Sequence, residues 1–587
     1  MKRVKYIYNQ RLKKIGQQSS FSYWRFTLLC SFIFFGTIGL LFRLAWLQLI
    51  YPERLVHEGD MRSLRIQVIP TSRGMITDRK GRPLAVSIPV YAILADPKEL
   101  QRQGGIILDD HWKALANVLS ISINKLKERI NANPSSRFVY LARQVDPEIS
   151  EYIQRLKLPG IFLRNESRRY YPSGEVTSHL IGVTNIDGEG IEGIEKSFNK
   201  WLTGQPGSRI VRQDRLGQVI EDIPLVDCQE SSNLTLSIDV GLQTQVYHEL
   251  HKAVSFHRAE SGTAVLLDIH TGEVLAMVNS PSYNPNNLNG VSQDVMRNRA
   301  ITDMFEPGST VKPMVVLSAL QSRVASEHSI LNTEPLRING HTVRDVTLYH
   351  ELTLTGVLQK SSNVGVTRLA LSMPSHVLVD TYSSFGLGKT TSLGLIGESR
   401  GFCPQKKRWS NIERAAFSFG YGLMVTPLQL ARVYATFGSY GIYRPLSIMK
   451  VSTPIEGKRI FPDQTVRTVL HMMESVSLPG GCGIKAAVKD YRVAIKTGTV
   501  KKVGKNGKFI NRYIAYTAGV APASNPRFAL VVVVNDPQSG QYYGGAVSAP
   551  VFSSIMTEVL HTMKVQPDAV SNFSVQKLNN LEKMRSE

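Results

Sequence analysis

Ser309 and Lys312 stand three residues apart in the stretch Glu306-Pro307-Gly308-Ser309-Thr310-Val311-Lys312-Pro313. Pro307 and Gly308 read as a turn, and the apolar run from Met314 through Leu320 reads as a helix. The pair therefore falls in the first turn of a buried helix, where residues three apart share a face. A serine hydroxyl is a poor nucleophile without a neighbouring base. A lysine can be that base if burial or a nearby cation lowers its pKa. The helix N-terminus adds N–H donors and partial positive charge, suited to a developing oxyanion. The spacing alone carries little weight. Ser-x-x-Lys arises by chance about two or three times in a chain of this size, and a serine cap beside a solvated lysine is spelled the same way.

Two later motifs supply the context. Ser361-Ser362-Asn363 opens a helix expected over Val364 to Ala370, and Lys496-Thr497-Gly498-Thr499 ends a strand-like run, Arg492 to Ile495. In order, the three resemble the S-x-x-K, S-D-N and K-T-G set of penicillin-binding proteins and class A β-lactamases. The middle motif departs from it, with Ser362 where that set has aspartate. The chemistry of the set is acyl transfer. Ser309 is the nucleophile, Lys312 the general base, and Ser361 a proton relay between the lysines and a leaving amine. Asn363 can orient a substrate amide. Lys496 brings a positive charge that lowers the pKa of its neighbours and attracts a carboxylate, which Thr497 and Thr499 can hydrogen-bond. Gly498 lets the backbone approach a substrate closely. The N–H groups of Ser309 and Thr499 are candidate oxyanion donors.

The elements that must carry these residues follow from the rest of the chain. At 587 residues, roughly three or four structural units are expected. Residues 1–25 hold Lys2, Arg3, Lys5, Arg11, Lys13, Lys14 and Arg25 with no acid, and Phe26 to Phe42 is free of charge. This pattern predicts an uncleaved membrane anchor over residues 26–46 with a cytoplasmic basic tail, residues 1–25. No A-x-A cleavage site follows. Everything beyond the anchor then lies outside the cytoplasm. Residues 55–228 form a first module, with a hairpin turn at Asp78 to Gly81 and helices between Asp110 and Asn131. Its Arg-rich stretches and its Gly188–Glu195 acidic run suggest buried arginine–carboxylate contacts. A second domain spans residues 234–563. It opens with a helix capped by Asp239 and contains a hairpin at His270 to Glu273 and a helix started by Thr426-Pro427. Strands follow at Tyr513–Val520 and Phe528–Val534, then a last helix over Val551 to Met563. The sorting of strands and helices favours an antiparallel sheet packed by helices. A polar tail, residues 564–587, is expected to be mobile.

Composition excludes several classes. The net charge is +22, but no basic stripe with interleaved aromatics appears, so nucleic acid is not the expected partner. An anionic membrane surface or wall polymer fits better. The basic stretch Lys501–Arg512 reads as a solvated hairpin tip. No metal or cofactor is expected. Cys30, Cys228, Cys403 and Cys482 form no C-x-x-C pair, His248-Glu249-Leu250-His251 has the wrong spacing for a zinc helix, and Lys196 stands where a calcium loop from Asn185 needs glutamate. Whether any of Cys228, Cys403 and Cys482 pair is open.

Beyond the three motifs, the stretches RGMITDRKGRPLA, RRYYPSG, GEGIEGIE, SFGYGLMVTPLQLARVYATFGSYGIYRPLSI and YIAYTAGVAPASNPRFALVVVVNDP resemble the class B penicillin-binding proteins, most closely the division transpeptidases of Gram-negative bacteria. The resemblance covers nearly the whole chain. It implies a multidomain α/β (α+β) protein: one transmembrane helix, an elongated pedestal of the dimerisation type, and a β-lactamase-like transpeptidase domain. It implies D,D-transpeptidation of peptidoglycan stems through an acyl-Ser309, with release of D-Ala and transfer to meso-diaminopimelate. It implies acylation by β-lactams, contact with a lipid II polymerase (FtsW-like) and other divisome proteins, and residence at the septal inner membrane. An elongation-specific transpeptidase or a D,D-carboxypeptidase shares this chemistry, and a structural division protein with a dead site is the non-enzyme alternative. A β-lactamase would be smaller and lack the pedestal. A β-lactam receptor would need several spans, and a bifunctional glycosyltransferase a larger preceding module.

Overall fold

An uninterrupted apolar run with no charge satisfies its backbone most readily as a helix. In the computed structural model, helix Tyr23–Ala45 continues as a π-helical turn, Trp46–Ile50. The model describes residues 23–50, 52–69, 72–103, 110–204, 207–214, 219–226, 231–406, 408–504 and 506–569. The helix buries no side chain, and Tyr23–Leu49 is long and apolar enough to cross a membrane. The anchor expected over residues 26–46 lies within it. The basic tail, residues 1–25, lies almost wholly outside the described residues.

The chain divides into two compact units, Met1–Pro70 with Pro206–Gln229, and Thr71–Gln205 with Glu230–Glu587. The first holds the apolar helix and an antiparallel three-stranded sheet of Leu64–Ile69, Gly207–Gln213 and Val219–Val226. The module expected as one piece over residues 55–228 is thus shared out. Its first strand, Leu64–Ile69, pairs with Gly207–Gln213, some 140 residues later, which draws both ends of the module into the anchor's unit.

In the second unit the pedestal portion is knit by arginine. Glu195 is fully buried and takes the Nε of Arg73 and of Arg169, each at 2.6 Å. The expected hairpin at Asp78 to Gly81 joins Ile76–Thr77 to Pro83–Ala95. Asp78 accepts the N–H of Val240 at 3.2 Å, while Arg82 and Lys80 both pair with Asp239 at 2.8 Å. Asp239 caps α1 (Val240–Phe256), as its sequence position predicts. The pedestal hairpin therefore grips the first helix of the catalytic domain.

That domain is built on five antiparallel strands: β1 (Ser261–Asp268), β2 (Val274–Ser280), β3 (Ala494–Val503), β4 (Phe509–Ala521) and β5 (Phe528–Asn535), in the order β2-β1-β5-β4-β3. β1 and β2 are buried at every residue, because helices cover both faces of the sheet. α1 and α5 (Gly544–Thr562) pack on one face and on each other; α4 (Pro427–Gly438) packs on the opposite face. Thr426 and Gln429 form a capping box on α4, with Pro427 at its first turn. The Tyr434 hydroxyl of α4 donates to the Thr310 carbonyl at 3.0 Å, which ties α4 to the turn that carries Ser309.

Three expectations shift. β3 runs through the Lys496-Thr497-Gly498-Thr499 motif instead of ending at it, so the motif lies along an edge strand paired residue by residue with β4. α5 begins at Gly544, seven residues earlier than its apolar periodicity suggests, and continues through Pro550. A side chain at 544 would sit 2.4 Å from the Gly498 carbonyl, so this glycine is a contact point. The tail does not leave the body at residue 564. The Tyr491 hydroxyl donates to the Val565 carbonyl at 2.6 Å, and Asp568 accepts the Arg492 N–H at 2.6 Å. Residues 570–587 lie outside the described residues. Cys403 and Cys482 are unpaired, and Cys228 is also outside the described residues. In the basic hairpin, Lys502 pairs with Glu260 at 2.7 Å and Arg512 with Asp536.

Candidate active site

The turn that carries Ser309 is a short 3-10 segment, Gly308–Val311, that runs into α2 (Lys312–Gln321). Ser309 sits in the 3-10 turn and Lys312 opens the α-helix. α2 is buried along almost its whole length, as its apolar run predicts. Lys312 is completely shielded from solvent. Its Nζ lies 2.6 Å from the Ser361 carbonyl, 2.7 Å from Asn363 Oδ1 and 3.3 Å from Ser361 Oγ. Burial pushes its pKa well below the ordinary lysine value, the Lys496 ammonium pushes it further, and Asp345 and Cys482 oppose. The two shortest contacts are to groups that only accept. A neutral amine can donate to both and turn its lone pair toward a hydroxyl, which is the state a general base needs. The Ser309 hydroxyl is partly exposed and makes no hydrogen bond among the described residues.

The second motif packs against this lysine. Ser362 caps α3 (Asn363–Ser372) through the Gly365 N–H at 2.9 Å. Ser361 has φ +58°, a left-handed conformation that a non-glycine residue holds only where its surroundings impose it. Those surroundings are the Leu358 carbonyl, which accepts the Ser361 N–H at 3.2 Å, and Lys312 on the Ser361 carbonyl. The conformation aims the Ser361 hydroxyl at the buried amine.

β3 supplies the third motif. Alternation along a strand sends Lys496, Gly498 and Val500 to one face and Thr497 and Thr499 to the other. The Lys496 side chain is fully buried; its Nζ donates to the Thr497 carbonyl at 3.1 Å and lies 3.7 Å from Cys482 Sγ. Burial lowers its pKa as well. The Thr499 hydroxyl oxygen accepts the Gly544 N–H at 2.9 Å, leaving its proton free to donate. Gly498 meets a constraint other than substrate approach. A Cβ there would come within 2.1 Å of the Tyr516 ring on β4. Tyr516 needs that space to donate its hydroxyl to the Glu306 carbonyl at 3.0 Å, which fixes the turn ahead of Ser309.

A cavity of about 570 Å³ brings Ser309, Ser361, Asn363, Thr497, Gly498 and Thr499 together. Lys312 and Lys496 lie beneath it. Three residues were invisible to motif reasoning. Tyr516 is one. Cys482 is exposed in the cleft, with Sγ 3.3 Å from Thr497 Oγ1. Burial raises its thiol pKa, but the Lys496 charge and the Thr497 hydroxyl outweigh that and hold it below the usual thiol value. Asp345 is the third, its carboxylate at the start of α3. The only sequence signal for it was the aspartate missing from the middle motif.

A serine hydroxyl, a buried lysine whose pKa is pushed down, and threonine hydroxyls on an adjoining edge strand meet at one cleft, the arrangement expected of a serine–lysine acyl-transfer site. Comparison with known proteins agrees. Residues 262–557 match the penicillin-binding protein transpeptidase domain and residues 68–236 the penicillin-binding protein dimerisation domain. The peptidoglycan D,D-transpeptidase FtsI of Escherichia coli K12 is 69% identical over 562 residues, covering 96% of each chain. That of Buchnera aphidicola from Schizaphis graminum is 55% identical, over 94% of this chain and 97% of the other. Among solved structures, a peptidoglycan synthetase from Bifidobacterium adolescentis superposes with a TM-score of 0.69 at 25% identity, over 86% of this chain and 98% of that one. The transpeptidase domain of Burkholderia pseudomallei penicillin-binding protein 3 gives 0.53 at 38%, over 57% and 97%. The chain belongs to the class B penicillin-binding proteins, in their FtsI-like branch.

Proposed function

We propose that this chain is a peptidoglycan D,D-transpeptidase of the division septum, anchored in the inner membrane by one helix, with its N-terminus cytoplasmic and its catalytic domain periplasmic. The observation that carries the acyl-transfer part of this reading is Lys312, a lysine with no solvent exposure held between Ser361 and Asn363. The Ser309 hydroxyl attacks the carbonyl of the penultimate D-Ala, and Lys312 takes its proton. The N–H groups of Ser309 and Thr499 hold the oxyanion. Collapse breaks the peptide bond. The proton passes from Lys312 through Ser361 to the leaving amine, and terminal D-Ala departs. Thr497, Thr499 and the charge of Lys496 hold the terminal carboxylate beforehand, and Asn363 orients the stem amide. A side-chain amine of diaminopimelate on a second stem then attacks the ester and gives up a proton to Lys312, which passes it to the departing Ser309 oxygen, leaving a new amide cross-link and the free serine. A β-lactam presents its strained amide to the same hydroxyl, so its ester should accumulate. An FtsW-like polymerase and other divisome proteins are the partners this reading requires at the anchor and pedestal.

Incubation with a labelled penicillin should give a single adduct on the tryptic peptide that carries Ser309. Ser309→Ala should abolish both labelling and cross-linking while the protein stays folded and membrane-bound. An adduct on another peptide, or cross-linking by the alanine variant, would overturn the assignment.

A further inference from the structure

The S-D-N motif carries a carboxylate at the position that Ser362 occupies here. A carboxylate nevertheless stands beside Ser362, delivered from the preceding loop. The Asp345 carboxylate accepts the Ser362 hydroxyl, the Asn363 N–H at 2.5 Å and the Val364 N–H at 3.0 Å. The two N–H groups are among those a helix start leaves without intrahelical partners. A negative charge at that end is also favoured by the helix dipole. The neighbouring Arg344 carbonyl accepts the Asn363 side-chain Nδ2 at 3.4 Å, while Asn363 Oδ1 faces the Lys312 amine at 2.7 Å. Residues 344 and 345 therefore hold Asn363 by both its backbone and its side chain.

We propose that Asp345 is a positioning residue for acyl transfer. It orients the Ser361-Ser362-Asn363 turn against Lys312 and sets a negative charge at that turn. The inference rests on the acyl-transfer reading above. The charged and titratable groups that act on Lys312 come from three directions: Lys496 on β3, Cys482 on the turn before it, and Asp345. Asp345 is the carboxylate among them, and it favours the ammonium form of Lys312 against the effects of burial and of Lys496. The same loop also lines the cleft with Val346, Thr347 and Tyr349. Asp345 thus joins the outer wall of the cleft to the turn that holds the base.

The test uses the full chain in detergent. The second-order rate of acylation by a chromogenic cephalosporin is followed across pH for Asp345→Asn, Asp345→Glu and Asp345→Ala. Neutral Lys312 is the reactive form, so the rate rises with pH through its pKa. Asparagine keeps an oxygen for the two N–H groups and removes only the charge, so the acid limb should move to lower pH. Alanine removes both and should cost about 10²-fold at the plateau, the scale of a misplaced catalytic group. Glutamate should return the limb toward its original position. A purely structural cap would lower the rate in these variants without moving the limb. An Asparagine variant with an unmoved limb, or an alanine variant with an undiminished rate, would overturn the proposal. Thermal unfolding identifies a variant that has not folded, and the asparagine variant decides the matter if alanine fails to fold. A wild-type protein that forms no Ser309 adduct would remove the acyl-transfer reading itself, which is a separate result.

Discussion

Lys312 and Lys496 are both buried at one site, and the charge of Lys496 makes an ammonium at Lys312 harder to keep. For Lys312, burial is the larger cause and Lys496 the next. The sign of the pH dependence follows. In the proposed mechanism the base works as a neutral amine, so acylation is retained above the pKa of Lys312 and lost as pH falls through it. That limb should therefore lie well below the usual lysine value. Lys496→Ala removes a like charge, which raises the Lys312 pKa and moves the limb to higher pH, whatever it also does to substrate affinity. A limb that stayed in place would mean that the Lys496 charge does not reach Lys312. Lys312→Arg puts a permanent cation in the same place. It should lower the acylation rate by at least 10²-fold, about the contribution of a positioned general base. Rapid-mixing kinetics with a chromogenic β-lactam measures all three.

The elements that carry these residues were legible wherever a local rule set them. Asp239, Ser362 and Thr426 each cap the helix that their position announces, because a cap is an interaction over three residues. The Asp78 to Gly81 hairpin and the buried α2 were legible for the same reason. What could not be read locally was set by partners far along the chain. Gly498 reads as the end of a strand until Tyr516, on the next strand, is seen to occupy the space its missing side chain leaves. Gly544 gives no local signal, and only the fold sets it against the Gly498 carbonyl. Asp345 shares no motif with Ser362, and only folding brings them together. Glu195 lies between, since its glycine-rich surroundings suggested a structural carboxylate but not its two arginines. Each long-range contact gives a prediction. Gly498→Ala should push Tyr516 off the Glu306 carbonyl, destabilising the domain by roughly 1–3 kcal/mol and slowing acylation more than the stability loss alone explains. Glu195→Ala leaves Arg73 and Arg169 buried without their counter-charge. It should cost about 3–5 kcal/mol, read as a lower denaturation midpoint of the pedestal, with the acylation rate of the folded fraction unchanged.

At the scale of the whole molecule, the site cannot say which wall-building process this chain serves. Ser309, Lys312, Ser361, Asn363 and the β3 motif would perform the same acyl transfer in an elongation enzyme or a carboxypeptidase. The distinction has to lie in the parts that do no chemistry. These are the apolar helix Tyr23–Ala45, the sheet that joins Leu64–Ile69 to Gly207–Gln213, and the arginine-knit pedestal. The similarity to FtsI extends through these parts, covering 96% of the chain, and is not confined to the catalytic motifs. If they direct the enzyme to the septum, depletion should leave elongation running and block constriction, so cells should grow as filaments. Rounded cells would instead assign the chain to elongation. Replacing the apolar helix with an unrelated span of similar length keeps the catalytic domain on the same side of the membrane. That chimera should keep its penicillin adduct on Ser309. If the helix also contacts division partners, it should fail to restore constriction in depleted cells, whereas full restoration would confine recognition to the pedestal and catalytic domain.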